Sequence, residues 1–330
     1  MTWLDPKRLD HRDIAGAVSL LDASRLVDNP HALVGPTVFS YAARLRHGWD
    51  GNPPVAALAR DDKGRVVGVL HVALPRWNNT HLGSVDVTVD PLTRRQGLGR
   101  WLFEAGVERV RAEGRRLLLA DCWVDSPGVM FAEAMGMERA SMWVNRRQDL
   151  RVIDWPRLDA EFEAAESRAT SYELLRVAGP TPEDMLADVA AMTAAINDAP
   201  TDDLDIEDEV FTPERIRTFE TARLAAGDRI YRVIARELPT GTLAGHTMIG
   251  VDSEHPGYAW QYDTAVLRAH RGHRLGTLLK IAMLHWLAEA EPQLRMLDTG
   301  NAASNMHMIA INELLGYQVV AAGIEWQRHL

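Results

Sequence analysis

Two stretches of the 330-residue chain bring arginine and glycine together at a spacing suited to an anion. In the first, the β-branched run Val87, Thr88, Val89 ends at Pro91, and Arg94, Arg95, Gln96, Gly97, Leu98, Gly99 and Arg100 lead into an apolar segment. Glycine has no Cβ, so backbone N–H groups there can approach a ligand closely. A helix beginning near Leu98 or Gly99 adds the partial positive charge of its N-terminus. Arg94 and Arg95 supply full charges, so the segment suits a phosphate or pyrophosphate. It is not a P-loop, because no Gly-Lys-Ser/Thr ending follows, nor a dinucleotide fingerprint, whose third glycine is replaced by Leu102.

The second stretch repeats the first. Thr264, Ala265 and Val266 precede Arg271, Gly272, His273, Arg274, Leu275, Gly276 and Thr277, with Arg274 standing where the first stretch has Gly97. One constant offset of 177 residues also pairs Gly64 with Gly241, Gly68 with Gly245, Asp86 with Asp263, and Gly99 with Gly276. A repeat of such length implies one supersecondary unit used twice. The expected organisation is a first domain over 1–150, a linker over 151–170 and a second domain over 171–330.

The elements that must position these loops follow from periodicity and turn residues. In each copy a helical region leads to a hairpin, VAALAR and VVGVLHVAL about DDKG, then VIARE and LAGHTMIGV about LPTG. A strand, the glycine loop and a helix follow. Leu275, Leu278, Leu279, Ala282 and Trp286 form one apolar stripe. Leu98, Trp101, Leu102 and Ala105 form its counterpart, to which Phe103, Val107 and Val110 add a second apolar side, predicting deeper burial of the first helix. A further strand, a short helix ending at Gly136 or Gly316, and a terminal strand complete each copy. The fold class is α/β, an α+β mixed sheet flanked by helices.

The strand, the spacing Arg94-x-x-Gly97-x-Gly99 and the following helix resemble the coenzyme A pyrophosphate motif of the GNAT N-acetyltransferase superfamily. Asn301-Ala-Ala-Ser-Asn305, continuing MHMIAINELLGY, resembles the superfamily's next motif. The resemblance covers both halves and implies two tandem GNAT domains, each a mostly antiparallel sheet, as in mycothiol synthase-like proteins. It implies acetyl-CoA as cofactor and transfer of an acetyl group to an amine. It also implies that the backbone of Val87 to Val89, and of Thr264 to Val266, pairs with the pantetheine arm. Arg94 to Arg100, and Arg271 to Thr277, would wrap the pyrophosphate, with Asn301 and Asn305 beside them. A backbone N–H near Val89 or Val266 is the implied donor to the developing oxyanion.

Amine acylation also needs a base for the amine and a proton for the departing thiolate. Many members use a tyrosine four residues before the glycine of the last motif. Here that position holds Asn312 in one copy and Ala132 in the other. Tyr317 and Tyr262 are the hydroxyls that could substitute. Asp263 and its repeat partner Asp86 are candidate bases, ahead of His273 and His246. The segment Asp198, Asp202, Asp203, Asp205, Glu207, Asp208, Glu209 has no counterpart in the first copy; it is expected over the acceptor side of the second cleft, favouring a small cationic amine. The C-terminal copy is therefore expected to catalyse and the N-terminal copy to bind coenzyme A or serve structure. The alternatives are catalysis in the N-terminal copy and a non-catalytic acyl-CoA sensor.

Composition narrows the partners. A formal charge of −10 and a pI near 5.6 argue against nucleic acid as the main partner. No apolar run is long enough to span a bilayer and the N-terminus lacks signal-peptide order, so a cytoplasmic monomer or homodimer without membrane contact is expected. The single Cys122 sits in a strand-like run and reads as a small buried hydrophobe. None of the 12 histidines has metal-ligand spacing, so no metal is expected.

Overall fold

The computed structural model describes residues 1–330, which divide into two compact units. Unit 1 comprises Met1–Trp143, Thr201–Asp208 and Ala321–Leu330; unit 2 comprises Val144–Pro200 and Glu209–Val320. Neither unit is a continuous stretch of chain, unlike a cut into 1–150 and 171–330.

In unit 1, β1 (Thr2–Trp3), α1 (His11–Asp28) and α2 (Val38–His47) precede an antiparallel meander of β2 (Val55–Arg60), β3 (Val66–Ala73) and β4 (Leu82–Val89). Next come α3 (Leu98–Ala112), β5 (Leu117–Trp123) and α4 (Gly128–Ala134), and β6 (Glu138–Asp149) leads into unit 2. Asp10 caps α1 by accepting from the N–H groups of Arg12 and Asp13, and Thr37 with Ser40 forms a capping box on α2. Alternation along β3 divides the core. Val69 packs with Ile14, Leu20 and Tyr41 on one face, whereas Leu70 and Val72 pack with Leu102, Phe103 and Val107 of α3 on the other.

Unit 2 repeats the plan with α5 (Trp155–Glu166), β7 (Tyr172–Ala178), α6 (Leu186–Thr193), α7 (Pro213–Ala225), β8 (Asp228–Glu237), β9 (Leu243–Asp252) and β10 (Tyr258–Val266). Then follow α8 (Leu275–Ala290), β11 (Met296–Ala302) and α9 (Met306–Leu314), after which the chain enters β12 (Gln318–His329), whose residues from Ala321 on belong to unit 1. The offset of 177 survives in space, since α3 starts at Leu98 and α8 at Leu275. Burial reverses the expectation from the apolar patterns: ten residues of α8 are buried against five of α3. The cause is α5, which reads as linker in the sequence but lays Leu158 and Ala165 into the cluster around α8.

The terminal strand closes the sheet of unit 1, to which its residues from Ala321 on belong. The strand order in unit 1 is β1-β2-β3-β4-β5-β12, and β12 runs antiparallel to β5 from Gly323 opposite Trp123 to His329 opposite Leu117. Ile324 and Trp326 thereby enter the core that α3 covers. Unit 2 has the order β6-β11-β10-β9-β8-β7, with Arg147 of β6 making a bidentate pair with the buried Asp298 of β11 at 2.7 and 2.8 Å.

Candidate active site

The two glycine loops share one backbone conformation. Each has two residues in the left-handed region, Arg95 (φ 65°) and Gly97 (φ 86°) in unit 1, Gly272 (φ 88°) and Arg274 (φ 58°) in unit 2. These are the same two positions of the repeat, with glycine and arginine exchanged. A Cβ added at Gly97 or Gly272 would meet open space, so glycine is there for the turn and not for packing. Gly99 and Gly276 have the opposite reason. A Cβ on Gly99 would press on Phe131 of α4 at 3.3 Å, and one on Gly276 on Ile311 of α9 at 3.2 Å. Neither α3 nor α8 has a side-chain cap, which leaves the first-turn N–H groups without a side-chain acceptor.

The leading arginines hold the loops together. Arg94 donates from Nε to the Val89 carbonyl at 3.1 Å and makes two hydrogen bonds to the Asp28 carboxylate of α1, at 2.8 and 2.6 Å. Arg271 repeats this, bonding the Val266 carbonyl at 3.2 Å and Asp198 at 2.5 Å. Arg274 is paired with Glu161 at 2.6 Å. The charges of Arg94, Arg271 and Arg274 are thus already matched by carboxylates, whereas Arg95, Gln96 and Arg100 are exposed.

In unit 2 a cleft of about 610 Å³ opens where β10 and β11 part. Their parallel pairing ends at Gln261 opposite Thr299. Against β9, β10 gains one residue between Gln261, opposite Ile249, and Thr264, opposite Thr247, so Tyr262 and Asp263 form a β-bulge that bends the strand. Asp263, Thr264, Ala265 and Val266 line the cleft, as do Arg271, Gly272, Arg274, Leu275, Gly276, Thr277, Asn301 and Asn305. His273 does not; its ring lies tilted against Tyr172, centroids 5.4 Å apart, and it meets the Arg168 carbonyl at 3.2 Å. The Asp263 carboxyl is pushed up to about 6, by burial first and by Glu209 next, against the opposing pull of Arg232 and Arg215. His246 lies buried behind the strand, held neutral by burial and by Arg232.

The cleft also contains a lysine that the sequence reading passed over. Lys280 of α8 is 3% exposed, donates to Asn312 Oδ1 at 2.6 Å and sits 4.9 Å from the centre of the Tyr317 ring. Asn312 Nδ2 donates in turn to Asn301 Oδ1 at 3.3 Å. Burial lowers the Lys280 amine to about 7, with no carboxylate bonded to it. The available signal was one lysine, of three in the chain, inside an apolar helix. Neither substitute tyrosine offers its hydroxyl to the cleft. Tyr317 is 1% exposed and donates to Gln261 Oε1 at 3.1 Å, and Tyr262, although on the cleft wall, donates to Asp228 at 2.6 Å.

Unit 1 repeats the parting, since β4 and β5 pair only as far as Ser84 opposite Leu119, but differs at the bulge, the aspartate and the lysine. β4 pairs with β3 in unbroken register from Gly68 opposite Val89 to Ala73 opposite Ser84, without a bulge. Asp86 is tied at 3.2 Å to His71, which meets the buried Tyr41 hydroxyl at 2.8 Å. The repeat positions of Lys280 and Asn312 are Phe103 and Ala132, both core residues. The acidic segment also departs from expectation. Thr201–Asp208 belongs to unit 1, where Ser141 donates to Asp202 and Asn79 to Glu207, and only Asp198 of the seven acids lines the cleft. Cys122 accepts from Trp326 Nε1 at 3.2 Å, and burial raises its thiol, which fits a packing role.

The family model for the acetyltransferase (GNAT) family matches residues 27–137 and 195–317. No curated protein matches the chain. Among solved structures, a tandem GNAT protein from the clavulanic acid biosynthesis pathway matches with a TM-score of 0.80 and 28% identity, over 99% of this chain and 97% of that one. A GCN5-related N-acetyltransferase from Sphaerobacter thermophilus shares the fold at a TM-score of 0.65 and 16% identity, over 97% and 94% of the two chains. A glucosamine N-acetyltransferase region of a fungal multi-domain β-N-acetylglucosaminidase does so at 0.69 and 13%, over 99% of this chain and 38% of that one. The chain belongs to the GNAT acetyltransferase family and is a tandem of two such folds.

Proposed function

We propose that the protein is an acetyl-CoA-dependent N-acetyltransferase in which unit 2 transfers the acetyl group to a small cationic amine, while unit 1 holds coenzyme A or serves structure. The observation that carries this assignment is the inequality of the two central strands. β10 is bulged at Asp263 beside an open cleft, whereas β4 runs straight. The cleft volume of about 610 Å³ falls within the range of small-molecule sites.

The residues present fit coenzyme A. The uncapped start of α8 and the open space over Gly272 suit a pyrophosphate held by backbone N–H groups of Arg271 to Thr277. Thr264 to Val266 would face the pantetheine arm, with Asn301 and Asn305 beside it. In unit 1, Val87 to Val89 and Arg94 to Arg100 would do the same, with Arg95 and Arg100 adding charge. Bound acetyl-CoA supplies an acyl group on a thioester. Asp263, ionised above about pH 6, attracts the ammonium form of the acceptor and takes its proton. A backbone N–H near Val266 would steady the oxyanion.

The test is calorimetry with acetyl-CoA together with thiol release across a panel of primary amines. Gly276→Glu should abolish turnover, whereas Gly99→Glu should keep at least half of it. The reverse pattern would move catalysis to unit 1. Binding with no thiol release for any amine would favour a sensor.

A further inference from the structure

Acyl transfer leaves a thiolate, and the position at which the family places its tyrosine holds Asn312, buried and bonded to Lys280. Gly276, Thr277 and Lys280 lie one helical turn apart or less on α8, and all three line the cleft. The lysine therefore projects into the same space as the loop expected to hold the cofactor. The chain otherwise uses arginine for positive charge; its other lysines, Lys7 and Lys63, are exposed.

We propose that Lys280, oriented by Asn312, donates the proton to the sulfur that leaves the acyl group, in place of the missing tyrosine. The inference rests on the acetyltransferase reading above. In the step, the amine nitrogen bonds to the acyl carbon as the carbon–sulfur bond breaks. The sulfur takes a proton from Nζ; Asp263, having passed the proton of the ammonium form to solvent, takes the second proton that the amine nitrogen loses on bonding. Solvent then returns a proton to Lys280 and removes one from Asp263. The products are an amide and a free thiol, with no other reactant required.

The surroundings of Lys280 suit this role. Its bonded partner is an amide oxygen and its ring neighbour is Tyr317, so no carboxylate locks it in the charged form. Among charged groups on the cleft wall, Arg271 is paired with Asp198, Arg274 with Glu161, and His270 faces Tyr172 and Glu237. Asp263 and His307 share the cleft without bonding to the lysine. An amine held near 7 is a stronger acid than a thiol of ordinary value about 8.5, so the transfer runs downhill at neutral pH.

The test has two readouts. With ε-¹³C-lysine labelling the spectrum holds three lysine signals. The one lost in Lys280→Met should titrate near pH 7. In steady state, Lys280→Met should lower kcat about 100-fold, leave KM for acetyl-CoA within about threefold and abolish the fall in kcat above neutral pH. Lys280→Arg keeps the charge but gives up no proton, so it should not rescue. A Lys280 signal that does not titrate near pH 7, or a Lys280→Met enzyme with wild-type kcat and pH profile, would overturn the proposal while leaving the acetyltransferase reading intact. A wild-type chain that binds no acetyl-CoA or acetylates no amine would overturn both.

Discussion

As the proposed base, Asp263 carries opposite demands for chemistry and for stability. A base must be ionised, so kcat should rise with pH through about 6, and Asp263→Asn should lower it about 100-fold and remove that acid limb. Folding pulls the other way. The carboxyl is raised in the folded state, so its contribution is favourable below the unfolded value near 4 and is lost as pH rises through about 6. At pH 8, Asp263→Asn should therefore stabilise the chain by about 1–2 kcal/mol, read as a higher Tm, while activity falls. That Asp263 deserved notice was legible because the repeat paired it with Asp86; that it lines the cleft is a structural fact. Lys280 was not, because within Leu-Leu-Lys-Ile-Ala it interrupts an apolar helix without belonging to any motif. Tyr317 was legible as a hydroxyl near the last motif, but burial against Gln261 is a tertiary fact.

At the scale of the element, the loops show that a left-handed position can be filled in two ways. The RGHRLG stretch looks one glycine short, yet Gly272 takes the position of Arg95 and Arg274 that of Gly97. Arg274→Gly should relieve about 1 kcal/mol of left-handed strain and lose an ion pair worth about 0–1 kcal/mol, leaving Tm nearly unchanged. Gly272→Val places a β-branched side chain at φ 88° and should cost about 1–2 kcal/mol, with weaker acetyl-CoA binding by calorimetry. Hairpins, loops and helices were legible because glycine placement and apolar spacing are local. The bulge was not, since an extra residue in β10 has meaning only against its partner β9. The depth of α8 depended likewise on α5, whose charge and Pro156 read as a linker.

At the scale of the molecule, the repeat predicted two copies but not the crossing of their last strands, because pairing partners leave no trace in periodicity. Trp326 is 1% exposed and packs in the cluster of Leu102, Val107 and Leu118, so Trp326→Ala should cost about 3–5 kcal/mol. The loosening should appear by hydrogen exchange first in β5 and α3, although the substitution lies four residues from the C-terminus. Fragments 1–150 and 171–330 should likewise fail to fold separately, since the first lacks the strand that covers β5. The arrangement also sets a clock on biosynthesis. At about 5–20 residues per second, β5 emerges roughly 10–40 s before β12 is made. During that interval the apolar strand Leu117–Trp123 has an open edge, a template for pairing with other chains. Until β12 is made, the edge of β5 that it covers stays open, and unit 1 lacks the strand that completes its sheet.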